Sequence, residues 1–321
     1  MDAQRRLLLA VGTALSLGVH AQTFPSRPIR LVVPLAPGGA TDIVARLLAE
    51  KAGSLLGQPV VVDNRPGAGG TVGSNSVATA LPDGHTLLMG TVGTLAVSPG
   101  MYRNLPYDTE RDLAPVALVS AGNFALAVST SLPATNFQDF LRQAKSKPNE
   151  LNYGSAGNGS MPHLGMELLA TAGGFRLTHV PYKSSGQLVA ALMSGEVHAG
   201  LPDVPSALQQ FRAGRLRILA VAGPARDALL PDVPTIAESG ILNFDIGSWL
   251  GIMAPSKTPA PIVSQLNEAI IKSLQSADVL TRLKDLGMRS IASTPSEFRT
   301  FLQRERARWE SAIRTSGVVV E

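Results

Sequence analysis

Cysteine is absent from all 321 residues. That excludes a disulfide framework, a thiolate metal site, a cysteine nucleophile and a lipidated N-terminal cysteine. Long apolar runs are missing too. The longest uncharged stretch near the start, Leu7 to Val19, has thirteen residues, spanning only about 20 Å of a roughly 30 Å hydrocarbon core. Aromatic residues are scarce at 5%, and the net charge is only +4. A positive excess this small and dispersed does not suit a nucleic-acid partner, although it would help draw in small anions.

Several catalytic signatures are also lacking. Gly67-Ala68-Gly69 is followed by Val72 where a dinucleotide fingerprint needs its third glycine, and Gly157-Asn158-Gly159 is followed by Pro162. No Gly-x-x-x-x-Gly-Lys-Ser/Thr phosphate loop and no Gly-x-Ser-x-Gly elbow occurs. His85, His163, His179 and His198 lack His-Glu-x-x-His spacing, so neither a metal nor a cofactor is expected. Ser160 and His163 are three apart at a predicted helix start, which allows a nucleophile–base contact. The serine is better explained as the helix cap, and no orienting carboxylate lies nearby in sequence.

What is present begins with export. Arg5 and Arg6, the uncharged centre and Val19-His20-Ala21 form a secretory signal peptide over residues 1–21, with cleavage expected after Ala21. With no lipidation site and no later spanning segment, a periplasm is the simplest destination. Removing the first 21 residues leaves 300, enough for two compact lobes, with a net charge of +3 once Asp2, Arg5 and Arg6 leave.

Strand-like and helix-like runs alternate along this mature chain, giving an α/β layered fold. Strands are predicted at Ile29–Val33, Val60–Val62, Thr86–Met89, Val116–Val119, Phe124–Val128, Leu216–Val221 and Trp249–Met253. Helices are predicted at 42–56, 136–146, 162–172, 185–194, 204–213, 260–274, 277–286 and 295–316. Val44, Leu47, Leu48, Ala52, Leu55 and Leu56 form an apolar stripe stopped by Gly57 and Pro59. Thr294-Pro295-Ser296-Glu297 is a capping box, and Gly317 would end the last helix. Phe298, Phe301, Leu302, Trp309 and Ile313 repeat at helical spacing and read as core packing.

One local pattern recurs: a strand, a Gly/Ser-rich loop, then a helix. It occurs at Pro37–Asp42, at Ser155–Ser160 and, less clearly, at Tyr182–Gln187. Asn64–Thr71 and Gly90–Thr94 add two donor-rich segments read as flexible turns. In open α/β sheets ligands bind beyond the carboxyl ends of strands, so these loops are expected to converge on one cleft. The first loop, Pro-Leu-Ala-Pro-Gly-Gly-Ala-Thr-Asp at 34–42, holds no Lys, Arg or His. Unpaired N–H groups at a helix start suit an anion, and glycine lets it approach the backbone. Such a loop favours holding a carboxylate over transforming it. Asp42 is expected to cap backbone N–H groups, and Lys183 and Asp203 follow strands, where side chains reach a cleft.

The chain resembles the Bug-type solute receptors, the extracytoplasmic binding proteins of tripartite tricarboxylate transport systems, over residues 24–316. The resemblance rests on ordered motifs: residues 28–42; Val-Asp-Asn-Arg-Pro-Gly-Ala-Gly-Gly at 62–70; Asn-Tyr-Gly-Ser-Ala-Gly-Asn-Gly-Ser at 152–160; Val-Pro-Tyr-Lys at 180–183; Pro-Asp-Val-Pro-Thr-Ile-Ala-Glu-Ser-Gly at 231–240; and Ser-Trp-Leu-Gly-Ile-Met-Ala-Pro at 248–255. It implies a two-lobed periplasmic-binding-protein fold (Venus flytrap, type II-like) with a ligand cleft between the lobes. Residues 24–122 plus 246–321 would form lobe 1 and residues 123–245 lobe 2. It further implies that Pro37, Gly38, Gly39, Ala40, Thr41 and Asp42 grasp one carboxylate. Ser155, Gly157, Gly159, Ser160 and His163 would close from the other side. Gly69, Gly70, Thr71, Thr91, Tyr182, Lys183 and Asp203 would complete the pocket.

Expected partners are a small organic anion (a di- or tricarboxylate, an acidic amino acid or an aromatic carboxylate) and membrane permease subunits, with a monomeric receptor the simplest state. A sensory role feeding a two-component kinase and a hydrolase built on Ser160, His163 or Asp203 are the alternatives. Three positions depart from the family pattern: Ser184-Ser185 after the Tyr-Lys pair, His198 where an acid is common, and Lys257 in place of a turn glycine.

Overall fold

In the computed structural model, which describes residues 24–146 and 148–316, each apolar run pairs into one of two sheets. The predicted leader and Gly317 lie outside the described residues. Strand β1 (Ile29–Val33) enters helix α1 (Ala40–Leu56), followed by β2 (Val60–Asn64), a tight turn at Ala68–Gly70 and α2 (Thr71–Ala78). Then come β3 (Thr86–Thr91), a π-helical turn at Gly93–Val97, α3 (Ser98–Met101), α4 (Thr109–Asp112) and β4 (Leu113–Asn123). The second sheet is built from β5 (Ala125–Ser129), β6 (Asn152–Ser155), β7 (Thr178–Pro181), β8 (Ala199–Gly200) and β9 (Leu216–Val221). Among them lie α5 (Phe137–Ser146), α6 (Met161–Gly173), α7 (Ser185–Ser194) and α8 (Val204–Arg212). The chain returns through β10 (Gly247–Pro255), α9 (Ala260–Gln275), α10 (Ala277–Asp285), β11 (Arg289–Ser290) and α11 (Pro295–Ser316).

Strand order is β11-β4-β10-β3-β1-β2 in the first sheet and β7-β6-β8-β5-β9 in the second. Both are mixed. β1 runs parallel to β2 and β3, whereas β10 is antiparallel to β3 and β4; β6 is parallel to β7 and β8, and β5 antiparallel to β8 and β9. The parallel strands deliver their loops to the same end of each sheet, which sets where a ligand can bind.

The predicted stripe of α1 is buried at Val44, Leu48 and Ala52 and packs with Leu266 and Ile270 of α9 against the first sheet. Gly57 ends α1 in the left-handed conformation, φ 70°. The capping box of α11 is formed: Thr294 N–H donates to Glu297, and Glu297 N–H donates to Thr294 Oγ1. Phe298, Leu302, Trp309 and Ile313 of α11 are buried, with Trp249 edge-on to Phe298 and Phe301. The segments 64–71 and 90–94 are more ordered than loose turns, since α2 and the π-helical turn start within them. Their helical form follows from burial, because Val77, Leu95 and Val97 are fully enclosed.

The two passages between the sheets lie side by side. Ala222 N–H donates to Phe124 O at 2.8 Å, and Ile246 N–H donates to Ala222 O at 2.7 Å. These bonds tie the chain between β4 and β5 to both ends of the segment that links β9 to β10.

Candidate functional site

The first-lobe loop is held open from below by one carboxylate. Gly39 caps α1 without a side-chain bond, so the opening N–H groups of that helix have no side-chain partner. Asp42, one turn into the helix, turns away from the cleft. Its Oδ2 accepts Gly38 N–H and Arg46 Nε, both at 3.1 Å, and its Oδ1 accepts Asn64 Nδ2 and an Arg46 amino group, both at 3.0 Å. Asn64 also donates to Leu35 O at 3.1 Å. Burial pushes the Asp42 carboxyl up, but the donors from Arg46, Asn64 and Gly38 outweigh it and hold it below the ordinary carboxylate range. Asp42 therefore shapes the loop.

The second-lobe loop is held by imidazoles. Ser155 Oγ accepts Gly157 N–H at 3.0 Å and lies 2.7 Å from His179 Nε2. His163 Nδ1 accepts Gly159 N–H at 3.2 Å. The His163 and His179 rings stack 4.0 Å apart and 9° from parallel, and Tyr153 stacks on His179 at 4.8 Å. Tyr153 in turn donates its hydroxyl to Glu167. Burial pushes His163 down to about 4, and burial together with the neighbouring His163 pushes His179 down to about 3. Both rings are thus neutral, as an Nδ1 that accepts a backbone N–H requires. Ser160 Oγ accepts the backbone N–H of His163 as a helix cap. His163 Nδ1 is already engaged by Gly159, so the pair is a loop brace.

The two loops meet. A Cβ on Gly69, φ +63°, would lie 1.8 Å from Asn158 O, and one on Gly157 would lie 3.0 Å from Gly69 Cα. Ala36 N–H donates to Lys183 O at 3.0 Å, and Ser98 Oγ donates to Gly159 O at 3.3 Å. The Tyr102 hydroxyl lies 2.7 Å from Asn158 O and 2.9 Å from Ala68 O.

Behind this seam lies a cavity of ≈ 40 Å³. The N-terminal ends of α1 (Ala40, Thr41), α6 (Met161, Pro162) and α7 (Ser185) border it, together with Asp203 at the N-cap of α8. Thr91, Ser160 and Ser248 add hydroxyls, and no Lys, Arg or His lines it. A larger open hollow, ≈ 740 Å³, belongs to lobe 2 alone, among α5, α6 and the approach to β7. Among the described residues no group of His, Asp and Glu is placed to hold a metal.

Of the residues singled out from the sequence, Ala40, Thr41, Gly69, Thr91, Ser160 and Asp203 border the cavity. Pro37 and Gly38 are exposed and Gly39 is buried, and none of the three borders the cavity. Gly70 and Thr71 start α2, and Ser155, Gly157, Gly159 and His163 shape the opposing loop. Tyr182 stands apart, with its ring packed on the lobe 2 core beside Leu188 and Val197. Lys183 offers its backbone, donating N–H to Gln187 Oε1, while the residue itself is exposed. His198, one of the three departures from the family pattern, is half-buried and accepts Asn152 N–H at Nδ1, 2.9 Å. Leu35, Val92, Phe124, Met161, Ser185 and Ser248 border the cavity without having been singled out. Leu35 and Val92 sit inside the 34–42 and 90–94 segments, Ser185 follows the Tyr-Lys pair and Ser248 heads a family motif, whereas Phe124 and Met161 carried no such signal.

Two α/β lobes meeting over a helix-ringed cavity define a bilobal solute-binding protein. The chain belongs to the family described as tripartite tricarboxylate transporter family receptor, whose model matches residues 44–318. It is 36% identical to BugT of Bordetella pertussis over 97% of this chain and 98% of that one. Two solved structures are similar throughout. One is MatC from Rhodopseudomonas palustris with bound malate, at TM-score 0.87 and 36% identity over 90% of this chain and all of that one. The other is Rpa4515 of R. palustris with adipate, at TM-score 0.89 and 36% identity over 92% and 99%.

Proposed function

We propose that this protein is a periplasmic receptor that closes lobe 1 (residues 24–122 with 246–321) and lobe 2 (residues 123–245) over a small carboxylate-bearing solute and delivers it to membrane permease subunits. The observation that carries this reading is the convergence of α1, α6 and α7 N-termini on one cavity that no Lys, Arg or His lines. A helix N-terminus carries roughly half a positive charge and free N–H donors. Three of them attract an anion without a side-chain cation that would have to be stripped of water. The bound malate and adipate of the two relatives, both carboxylates, support the same chemistry.

Magnitudes favour a two-lobed grip. Micromolar affinity needs about 8 kcal/mol, whereas one charge-assisted hydrogen bond nets roughly 1.5–3 kcal/mol. A single loop falls short; opposing loops that also exclude water reach it. Ligand binding then shifts the population toward the closed shape, which a permease can read. The ligand-facing set would comprise main-chain groups of Pro37–Asp42 and Ser155–Ser160 with Gly69, Thr91 and Asp203. Ser160, His163 and Asp203 are each engaged as caps or loop braces, so no turnover is expected.

The leader at residues 1–21 would direct the chain to the periplasm with cleavage after Ala21. No helix among the described residues is long and apolar enough to cross a membrane. Calorimetric titration of protein unfolded and refolded to strip any co-purified solute, against a carboxylate library, tests the reading. Stoichiometric binding with the solute recovered unchanged is expected. Silence across the library, or chemical conversion of the solute, would overturn it. N-terminal sequencing of the exported protein should begin at Gln22.

A further inference from the structure

The cavity contains one ionisable side chain, Asp203, which is 9% exposed and faces no Lys, Arg or His on the lining. Its placement is fixed. The Asp203 backbone bridges Phe124 at the crossing between the lobes, and its N–H is 3.5 Å from Ser185 Oγ. As the N-cap of α8 it uses Oδ1 twice, accepting Ser206 N–H at 3.1 Å and the Ser206 hydroxyl at 2.6 Å. Oδ2 has no hydrogen-bond partner among the described residues, nor is it sealed away from the cavity with the unpartnered buried atoms. A carboxylate oxygen left without a donor in so enclosed a recess is costly, and a second anion brought beside it is repelled.

We propose that Asp203 reads a hydrogen-bond donor carried by the solute, so that the site selects a carboxylate bearing an amino or hydroxyl group over the same skeleton without one. This deepens the carboxylate-receptor reading and rests on it. The helix N-termini take the carboxylate, and Oδ2 of Asp203 takes the donor. Charge ranks the donors: a protonated amine also neutralises Asp203, which a hydroxyl does not, so amine precedes hydroxyl and hydroxyl precedes hydrogen.

Matched series test this directly: succinate, malate and aspartate; glutarate, 2-hydroxyglutarate and glutamate; propionate, lactate and alanine. Members of each set differ only in the substituent beside one carboxylate. Stripped wild-type protein should bind the donor-bearing members of at least one set about tenfold or more tighter than the unsubstituted one, the worth of one charge-assisted hydrogen bond. Asp203→Asn keeps an oxygen to cap α8 and removes the charge. It should abolish the preference for amine over hydroxyl while keeping the wild-type unfolding midpoint within a few degrees. Unsubstituted acids that bind as tightly as their partners would overturn the role of Asp203 and leave the receptor reading standing. No binding by any of the nine, nor by a wider carboxylate library, would overturn both. The wild-type comparison decides even if the variant does not fold.

Discussion

The loop of lobe 1 and the loop of lobe 2 do the same work with different supports. Both follow a parallel strand, both turn on glycines, and both deliver backbone N–H groups to the head of a helix. The first is braced by a carboxylate that four donors keep ionised. The second is braced by two stacked imidazoles that burial keeps neutral. Neither support spends a cation on the ligand. In the proposed reading anion affinity is left to the backbone, and each brace has its own vulnerability to pH.

The seam between the loops offers the most severe test. Gly69→Ala puts a methyl 1.8 Å from a backbone oxygen of the opposite lobe, which cannot yield as a side chain would, and adds the cost of a left-handed alanine, about 1 kcal/mol. Affinity should fall by roughly a hundredfold or more, since separated lobes forfeit half of the contacts. Small-angle scattering should report a more open average shape. Full retention of affinity would mean that the loops need not touch.

Removing the lobe 1 brace comes next. Asp42→Ala leaves Gly38 N–H without its acceptor and removes one of the two acceptors of the Asn64 amide, and should cost about 2 kcal/mol of stability by chemical denaturation. It should also loosen binding about tenfold. Titration then separates the two braces. His163 and His179 titrate lower in the folded protein than their ordinary value of 6.5. Their contribution is fully present above pH 6.5 and is lost as pH falls from there through about 4 for His163 and about 3 for His179. Asp42 is likewise held below its ordinary value of 3.8. Its stabilisation is present above pH 3.8 and is lost only on further acidification. Between pH 6.5 and 4 the lobe 2 brace should therefore weaken first. Amide exchange should rise at Gly157–Ser160 before it rises at Gly38–Asp42. His163→Asn, which keeps an acceptor near Nδ1 without titrating, should flatten part of that fall.

The smallest expected change is at Tyr102, whose hydroxyl touches carbonyls of both lobes. Tyr102→Phe removes one shared hydrogen bond, worth about 1 kcal/mol, and should weaken binding about fivefold with the fold unaffected.

How much of this was legible depended on how local the signal was. The apolar stripe of α1, the capping box of α11 and the strand–loop–helix order are periodic or short-range patterns, and each formed as its residues dictate. Tyr182 shows the reverse. Its place beside a pocket loop pointed to the ligand, yet its ring turns into the lobe 2 core because Leu188 and Val197 offer apolar contact there. His179 gave no sequence signal at all, since its partners Ser155 and His163 are 24 and 16 residues away and meet it only once β6 and β7 pair. The helical form of 93–101 was missed for a related reason. Gly93, Thr94, Ser98 and Pro99 are weak helix formers, and burial of Leu95 and Val97 overrides them.

The sequence by itself determined the α/β alternation, the glycine turns and helix caps that ready each loop for an anion, and the lack of any cation in the first of them. These follow from backbone conformation and hydrogen bonding between near neighbours. Only the tertiary structure decided that Gly69 meets Asn158, that two distant imidazoles stack, and that the carboxylate of Asp203 is left beside a cavity with one oxygen unmatched. Such contacts arise from strand pairing and lobe-to-lobe packing, which join residues whose spacing along the chain carries no trace of it.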